Sequence, residues 1–114
     1  MGFYTWKLID LGTIAAGNTT SGSWTSDDEY TIKRMYVVEY TSTAVGLQFL
    51  TATLRIDDYT FTKDKVCLKI FEPDNPINPE LNIPISKGKT FYYSVTNNHG
   101  SSSISAYIIL ELHK

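Results

Sequence analysis

Two runs in the last quarter of the chain, Lys89 to Asn97 (KTFYYSVTN) and Ser102 to Leu112 (SSISAYIILEL), alternate apolar and polar residues. Phe91, Tyr93 and Val95 share one face of the first run; Ile104, Ala106, Ile108 and Leu110 share one face of the second. Side chains alternate across a strand but recur every three to four residues on a helix, so this spacing dictates half-buried strands. The turn-forming Asn98-His99-Gly100-Ser101 between them predicts a hairpin.

The rest of the chain repeats the pattern. Thr5 to Leu11 reads as a first strand, and the stretch bearing Gly12, Gly17, Asn18, Ser21 and Gly22 as turns around a short strand ending at Trp24. Glu29 to Tyr40 is the longest element. Alternation sets Tyr30, Ile32, Tyr36, Val38 and Tyr40 on one face, with Arg34 as the interruption. A helix opened by Ser26 and Glu29 as a capping box is the competing reading, but the Tyr, Val, Ile and Thr content favours strand. Leu47 to Asp57 alternates Leu50, Ala52, Leu54 and Ile56 against Thr51, Thr53 and Arg55; Tyr59 to Thr62 and Val66 to Phe71 follow as short strands. All four prolines fall between Pro73 and Pro84, and proline cannot donate to a central ladder, so this segment is expected to protrude as a loop. Leu81 to Ile85 makes a brief edge strand after it. About eight strands with regularly spaced turn signals and no confident helix predict a single antiparallel β-sandwich domain over residues 1–114.

Composition narrows the chemistry. A hydrophobic share of 42% with 13% aromatics is that of a globular chain. The net charge of −2, with Lys63, Lys65 and Lys69 interleaved with Asp64 and Glu72, offers no basic stripe for nucleic acid. Cys67 is the one cysteine, so no intramolecular disulfide is expected, and its apolar surroundings predict an inert thiol. No secretory signal, myristoylation motif or membrane-spanning run is recognisable, so a soluble protein without membrane insertion is expected.

No catalytic constellation emerges. His99 and His113 are the two histidines and belong to no metal-ligand spacing, and no nucleophile elbow or glycine-rich phosphate loop is present. We therefore expect no enzyme, no cofactor and no metal centre. Asp27-Asp28 and Asp57-Asp58 could hold a cation only if loop carbonyls joined them. In contrast, 14 Thr, 10 Ser and 8 Tyr predict outward faces that are hydroxyl-rich and aromatic, which suits surfaces that touch other molecules.

Two stretches carry a resemblance: Thr19-Thr20-Ser21-Gly22-Ser23-Trp24 leading into Tyr30-Thr31-Ile32-Lys33-Arg34, and Ile83-Pro84-Ile85-Ser86-Lys87-Gly88-Lys89-Thr90-Phe91-Tyr92-Tyr93-Ser94-Val95-Thr96-Asn97. The second resembles the proline-bearing strand, Lys-Gly turn and aromatic strand near the ends of small jelly-roll proteins of virus particles, of the capsid, turret, spike or decoration type. The resemblance implies a jelly-roll-like sandwich in a virion, working as a structural protein through symmetric contacts with its own copies and with other virion proteins. Expected binding residues are Trp24, Tyr59 and, in the proline loop, Asn75, Pro76, Asn78 and Pro79. The alternative is a carbohydrate-binding module in which Trp24 and exposed tyrosines stack on a glycan; an enzyme built on Asp57 and Asp58 ranks third.

Overall fold

The computed structural model describes residues 4–57, 59–60 and 62–114. Among the described residues nine strands run in chain order: β1 (Tyr4–Ile14), β2 (Thr19–Thr25), β3 (Tyr30–Glu39), β4 (Leu50–Ile56), β5 (Tyr59–Thr60), β6 (Val66–Cys67), β7 (Ile83–Ile85), β8 (Thr90–Asn97) and β9 (Ile104–His113). They form two antiparallel sheets, one in the order β1-β9-β3-β7 and one in the order β2-β8-β4-β5, with β6 also pairing β4. The pairs β1·β9, β2·β8, β3·β7 and β4·β6 are nested, as if one long hairpin had been rolled up. That is a jelly roll, its two sheets closed over one core.

The core is built from the inward residues of both sheets, among them Ile32, Met35, Leu54, Phe91, Ile108 and Leu110, all essentially inaccessible. Alternation delivers them: β4 buries Leu50, Ala52, Leu54 and Ile56 in turn, and β9 buries Ile104, Ala106, Ile108, Leu110 and Leu112.

Several expectations are corrected. First, β8 and β9 are not a hairpin. β8 lies between β2 and β4 in one sheet, and β9 between β1 and β3 in the other. Both cover the same core from opposite sides, and a period of two reads the same whether the neighbour lies in the sheet or across it. Second, β3 does not hold one parity. Its ladder with β9 skips Lys33, so Ile32 is inward before this bulge and Met35 and Val37 are inward after it, while Tyr36, Val38 and Tyr40 turn outward. One extra residue flips every side chain that follows. Third, the strand expected over Val66 to Phe71 ends at Cys67, and Leu68–Phe71 coil into a 3-10 turn that buries Leu68 and Phe71. The strand expected over Tyr59 to Thr62 is the two-residue β5, and Phe61 lies outside the described residues. Strand wins over helix at Tyr30–Glu39, and the buried Ser26 hydroxyl donates to the Asp28 carbonyl at 2.6 Å.

The bulge also anchors the proline segment. With Lys33 out of the ladder, its carbonyl accepts the Leu81 amide at 2.7 Å. Arg34 donates to the Asn78 carbonyl at 3.0 Å, and Lys33 Nζ meets Glu80 at 2.5 Å. The segment before β7 is therefore an ordered loop strapped onto β3.

Candidate functional site

Side chains that leave the core on β1, β9 and β3 meet on the outer face of the four-stranded sheet. Register sets them in rows: Trp6 beside Glu111 beside Arg34, Leu8 beside Ile109 beside Tyr36, and Asp10 beside Tyr107 beside Val38. Tyr4, Trp6 and Leu8 are 54%, 57% and 52% exposed, large apolar groups side by side in water. Trp6, Leu8, Tyr36, Ile109 and Pro73 line a shallow depression of about 430 Å³. Tyr4 sets its ring edge-on to Trp6 at 5.4 Å and stacks on His113 at 5.1 Å, while Tyr40 stacks on Tyr107 at 4.3 Å.

Carboxylates on this face are held by neighbours. Glu111 accepts from the Tyr36 hydroxyl at 3.0 Å and lies 2.7 Å from His113 Nε2. Burial, then the bond to Glu111, raises the Tyr36 pKa. Asp10 accepts from the Tyr40 hydroxyl at 2.6 Å and from the Gly12 amide at 2.8 Å, and these two bonds hold its carboxyl below the usual value. The same Asp10 bond is the main cause that pushes Tyr40 up to about 12. What remains free to contact another molecule is aromatic and aliphatic.

The outer face of the other sheet has opposite chemistry. Thr19, Ser21, Ser23 and Thr25 of β2 stand opposite Thr96, Ser94, Tyr92 and Thr90 of β8, with Thr51, Thr53 and Arg55 of β4 continuing the rows. Hydroxyls bridge the strands from Thr19 to Thr96 at 2.7 Å and from Thr25 to Thr90 at 2.9 Å. The expected aromatic and hydroxyl surfaces are thus both present, segregated onto opposite sides.

The expected site residues do not converge. Trp24 lies in β2, opposite Phe91 in the ladder, and is half-buried against the core. Tyr59 is 62% exposed at the far edge of the same sheet, near a hollow lined by Ile83, Pro84 and Lys89. Asn75 turns its own loop, donating to the Lys69 carbonyl at 3.1 Å and accepting from Ile77 at 3.0 Å. Asn78 donates to the Met35 carbonyl at 3.3 Å and the Glu72 carbonyl at 3.4 Å, tying the loop to β3. Pro76 is exposed and Pro79 half-buried in that loop.

Asp28 caps the Glu29 amide and meets Lys114 at 2.5 Å, which holds its pKa down. Asp57, in a left-handed turn at φ 50, accepts from the Thr90 amide at 3.2 Å; Asp58 lies outside the described residues. Among the described residues no cluster of three His, Cys, Asp or Glu could hold a metal. His99 Nδ1 accepts the amides of Ser101 and Ser102 at 3.1 and 2.9 Å, organising the arch between β8 and β9. Cys67 is half-buried in β6.

Sequence reasoning missed Tyr4, Trp6, Leu8, Tyr36 and Ile109. Its signal was an inverted pattern: in Tyr4-Thr5-Trp6-Lys7-Leu8 the larger apolar residues take the outward parity, and SAYIILEL on β9 is apolar on both faces. No helix among the described residues is long and apolar enough to cross a membrane. No family model matches the chain, and a search of curated proteins finds no match.

Proposed function

We propose that the protein is a non-enzymatic assembly subunit, of the kind that builds virus particles, whose aromatic sheet face docks on a second copy of the chain. The observation that carries this reading is the contiguous face of Tyr4, Trp6, Leu8, Tyr36 and Ile109, with its carboxylates already bonded to neighbours. Monomeric proteins rarely expose apolar patches above a few hundred Å², and a stable interface covers about 800 Å² per partner, with such a patch as its centre. A two-fold contact sets a surface against itself, so unpaired like charges would repel. Here both carboxylates are hydrogen-bonded within the face, Asp10 by Tyr40 and Gly12 and Glu111 by Tyr36 and His113, so neither loses its last partner when a second copy covers the face. β1 is also a long edge strand, and Pro73 carries the patch onto the proline loop. The sequence resemblance supports the virion setting.

Light scattering coupled to size-exclusion chromatography across a concentration series tests it. The wild type is expected to form a defined oligomer, and Trp6→Lys with Leu8→Lys a folded monomer. Deleting the tip of the proline loop weakens association to a lesser degree. A wild type that stays monomeric at every concentration removes the self-docking reading.

A further inference from the structure

On the hydroxyl-rich outer face of the five-stranded sheet, short side chains lie beside tall ones. Ser21, Ser94 and Thr53 are low, whereas Tyr92 and Arg55 stand above them, and the step between them encloses a groove of about 390 Å³. Gly22 contributes backbone to the groove and no side chain. This is the size range of small-molecule sites, which generally have a few convergent polar groups.

The Arg55 guanidinium sits 3.8 Å from the centroid of the Tyr92 ring, and one N–H is bonded to the carbonyl of Asp57. No carboxylate among the described residues forms an ion pair with it. Stacking on Tyr92 and the bond to Asp57 fix the plane of the fork, and its remaining donors are pre-oriented for two oxygens of an anionic group. Ser21 donates to Ser94 at 3.3 Å, a long bond that a better partner can replace, and Ser23 adds another hydroxyl at the edge.

We propose that this groove binds an anionic glycan, with the sugar's acidic group on Arg55 and its hydroxyls on Ser21, Ser94 and Thr53. A negative charge answers the cation, and vicinal hydroxyls answer a floor of short hydroxyl side chains. Neither feature fits an apolar ligand, and one arginine without flanking lysines is a poor platform for a nucleic-acid backbone. The site lies on the sheet opposite the aromatic face and operates whether or not that face self-associates.

Nitrogen-edited NMR titrations of the full chain with three probes test this: a uronate disaccharide, a sulfated disaccharide, and the neutral disaccharide matching the uronate. The expected result is saturable shifts centred on Ser21, Thr53, Arg55 and Tyr92 with one or both acidic probes, weakening as salt is added. The neutral probe is expected to bind at least about ten-fold more weakly, as is the acidic probe to Arg55→Gln. Uronate alone identifies a carboxylate ligand, sulfate alone a sulfated one. Ser21→Leu, which fills the groove without touching Arg55, abolishes binding and guards against a misfolded arginine variant. Equal binding of neutral and acidic probes, undiminished binding to folded Arg55→Gln or Ser21→Leu, or no binding by any probe overturns the proposal.

Discussion

The side-chain amide of Asn97 donates to the carbonyl of Ile14 at 2.9 Å, joining the end of β8 in one sheet to the end of β1 in the other. The same amide donates to Ser102 at 2.9 Å, and its carbonyl oxygen accepts the His99 amide at 2.9 Å. Asn97 is fully buried, and every polar atom of its side chain is satisfied by backbone at the point where the chain crosses between sheets. Such a residue costs little while intact and much when removed, because its partners lose their bonds without regaining water.

Asn97→Ala is accordingly expected to lower stability by about 3 kcal/mol, from up to three backbone groups left unpaired near one buried site. Chemical denaturation measures it. A loss below about 1 kcal/mol would mean that water fills the vacancy and the bond is not what joins the sheets.

The Lys33 bulge separates two jobs. Deleting Lys33 brings Ile32 and Arg34 into consecutive register opposite Leu112 and Glu111, so Met35 and Val37 keep their inward parity. It also removes the carbonyl that accepts Leu81 and the amine paired with Glu80. The deletion variant is expected to remain folded with its proline loop released, read out as faster limited proteolysis between Glu72 and Asn82. An unchanged cleavage rate in the folded variant would show that the bulge does not anchor the loop, and an unfolded variant would show that the fold needs the extra residue.

Asp10 and Tyr40 predict a pH dependence at each extreme. The Asp10 pKa lies below its ordinary 3.8, so its contribution is present above that value and fades as pH falls through the lowered one. The Tyr40 pKa is raised from 10.0 to about 12, so its contribution is complete below pH 10 and is lost as pH climbs toward 12. In an alkaline titration followed by phenolate absorbance, Tyr40 ionises late, and Tyr40→Phe removes a late step. Asp10→Asn moves that step back toward 10. If Tyr40→Phe removes an ordinary step near 10 instead, the bond to Asp10 does not persist in solution.

Alternation made the strands legible, and with them the inward faces of β4, β8 and β9, because each position there has only two environments. It could not say which strands were neighbours, since Phe91 and Ile108 read alike whether they share a sheet or face each other across the core. The bulge at Lys33 was also hidden: Arg34 looked like one polar interruption, whereas the flip begins a residue earlier. Trp6 and Leu8 were passed over because apolar residues on a strand are read as inward. β1 breaks that rule over its first half, where Thr5 and Lys7 take the inward parity and leave the larger side chains outside; the buried residues Ile9 and Leu11 come further along the strand. The grooved hydroxyl face was visible only as an excess of Thr and Ser, since its rows require the register of three strands.

Gly22 is the last position where local sequence and packing are coupled tightly enough to predict. Opposite Tyr93 in the β2·β8 ladder, it has no side chain, and a Cβ there would collide with the Tyr93 hydroxyl and ring. The glycine thus weakens the β2 backbone in exchange for the space that Tyr93 occupies against the core. Gly22→Ala is expected to destabilise by about 1–3 kcal/mol, the usual cost of overpacking, as the ring is forced aside. Tyr93→Leu also destabilises, by opening space beside Phe91. Because the first substitution needs the room that the second makes, the double variant should be more stable than the sum of the two losses implies, with a coupling of about 1 kcal/mol or more in a denaturation double-mutant cycle. Strict additivity would mean that the ring does not lie over Gly22, and that this glycine serves the strand for another reason.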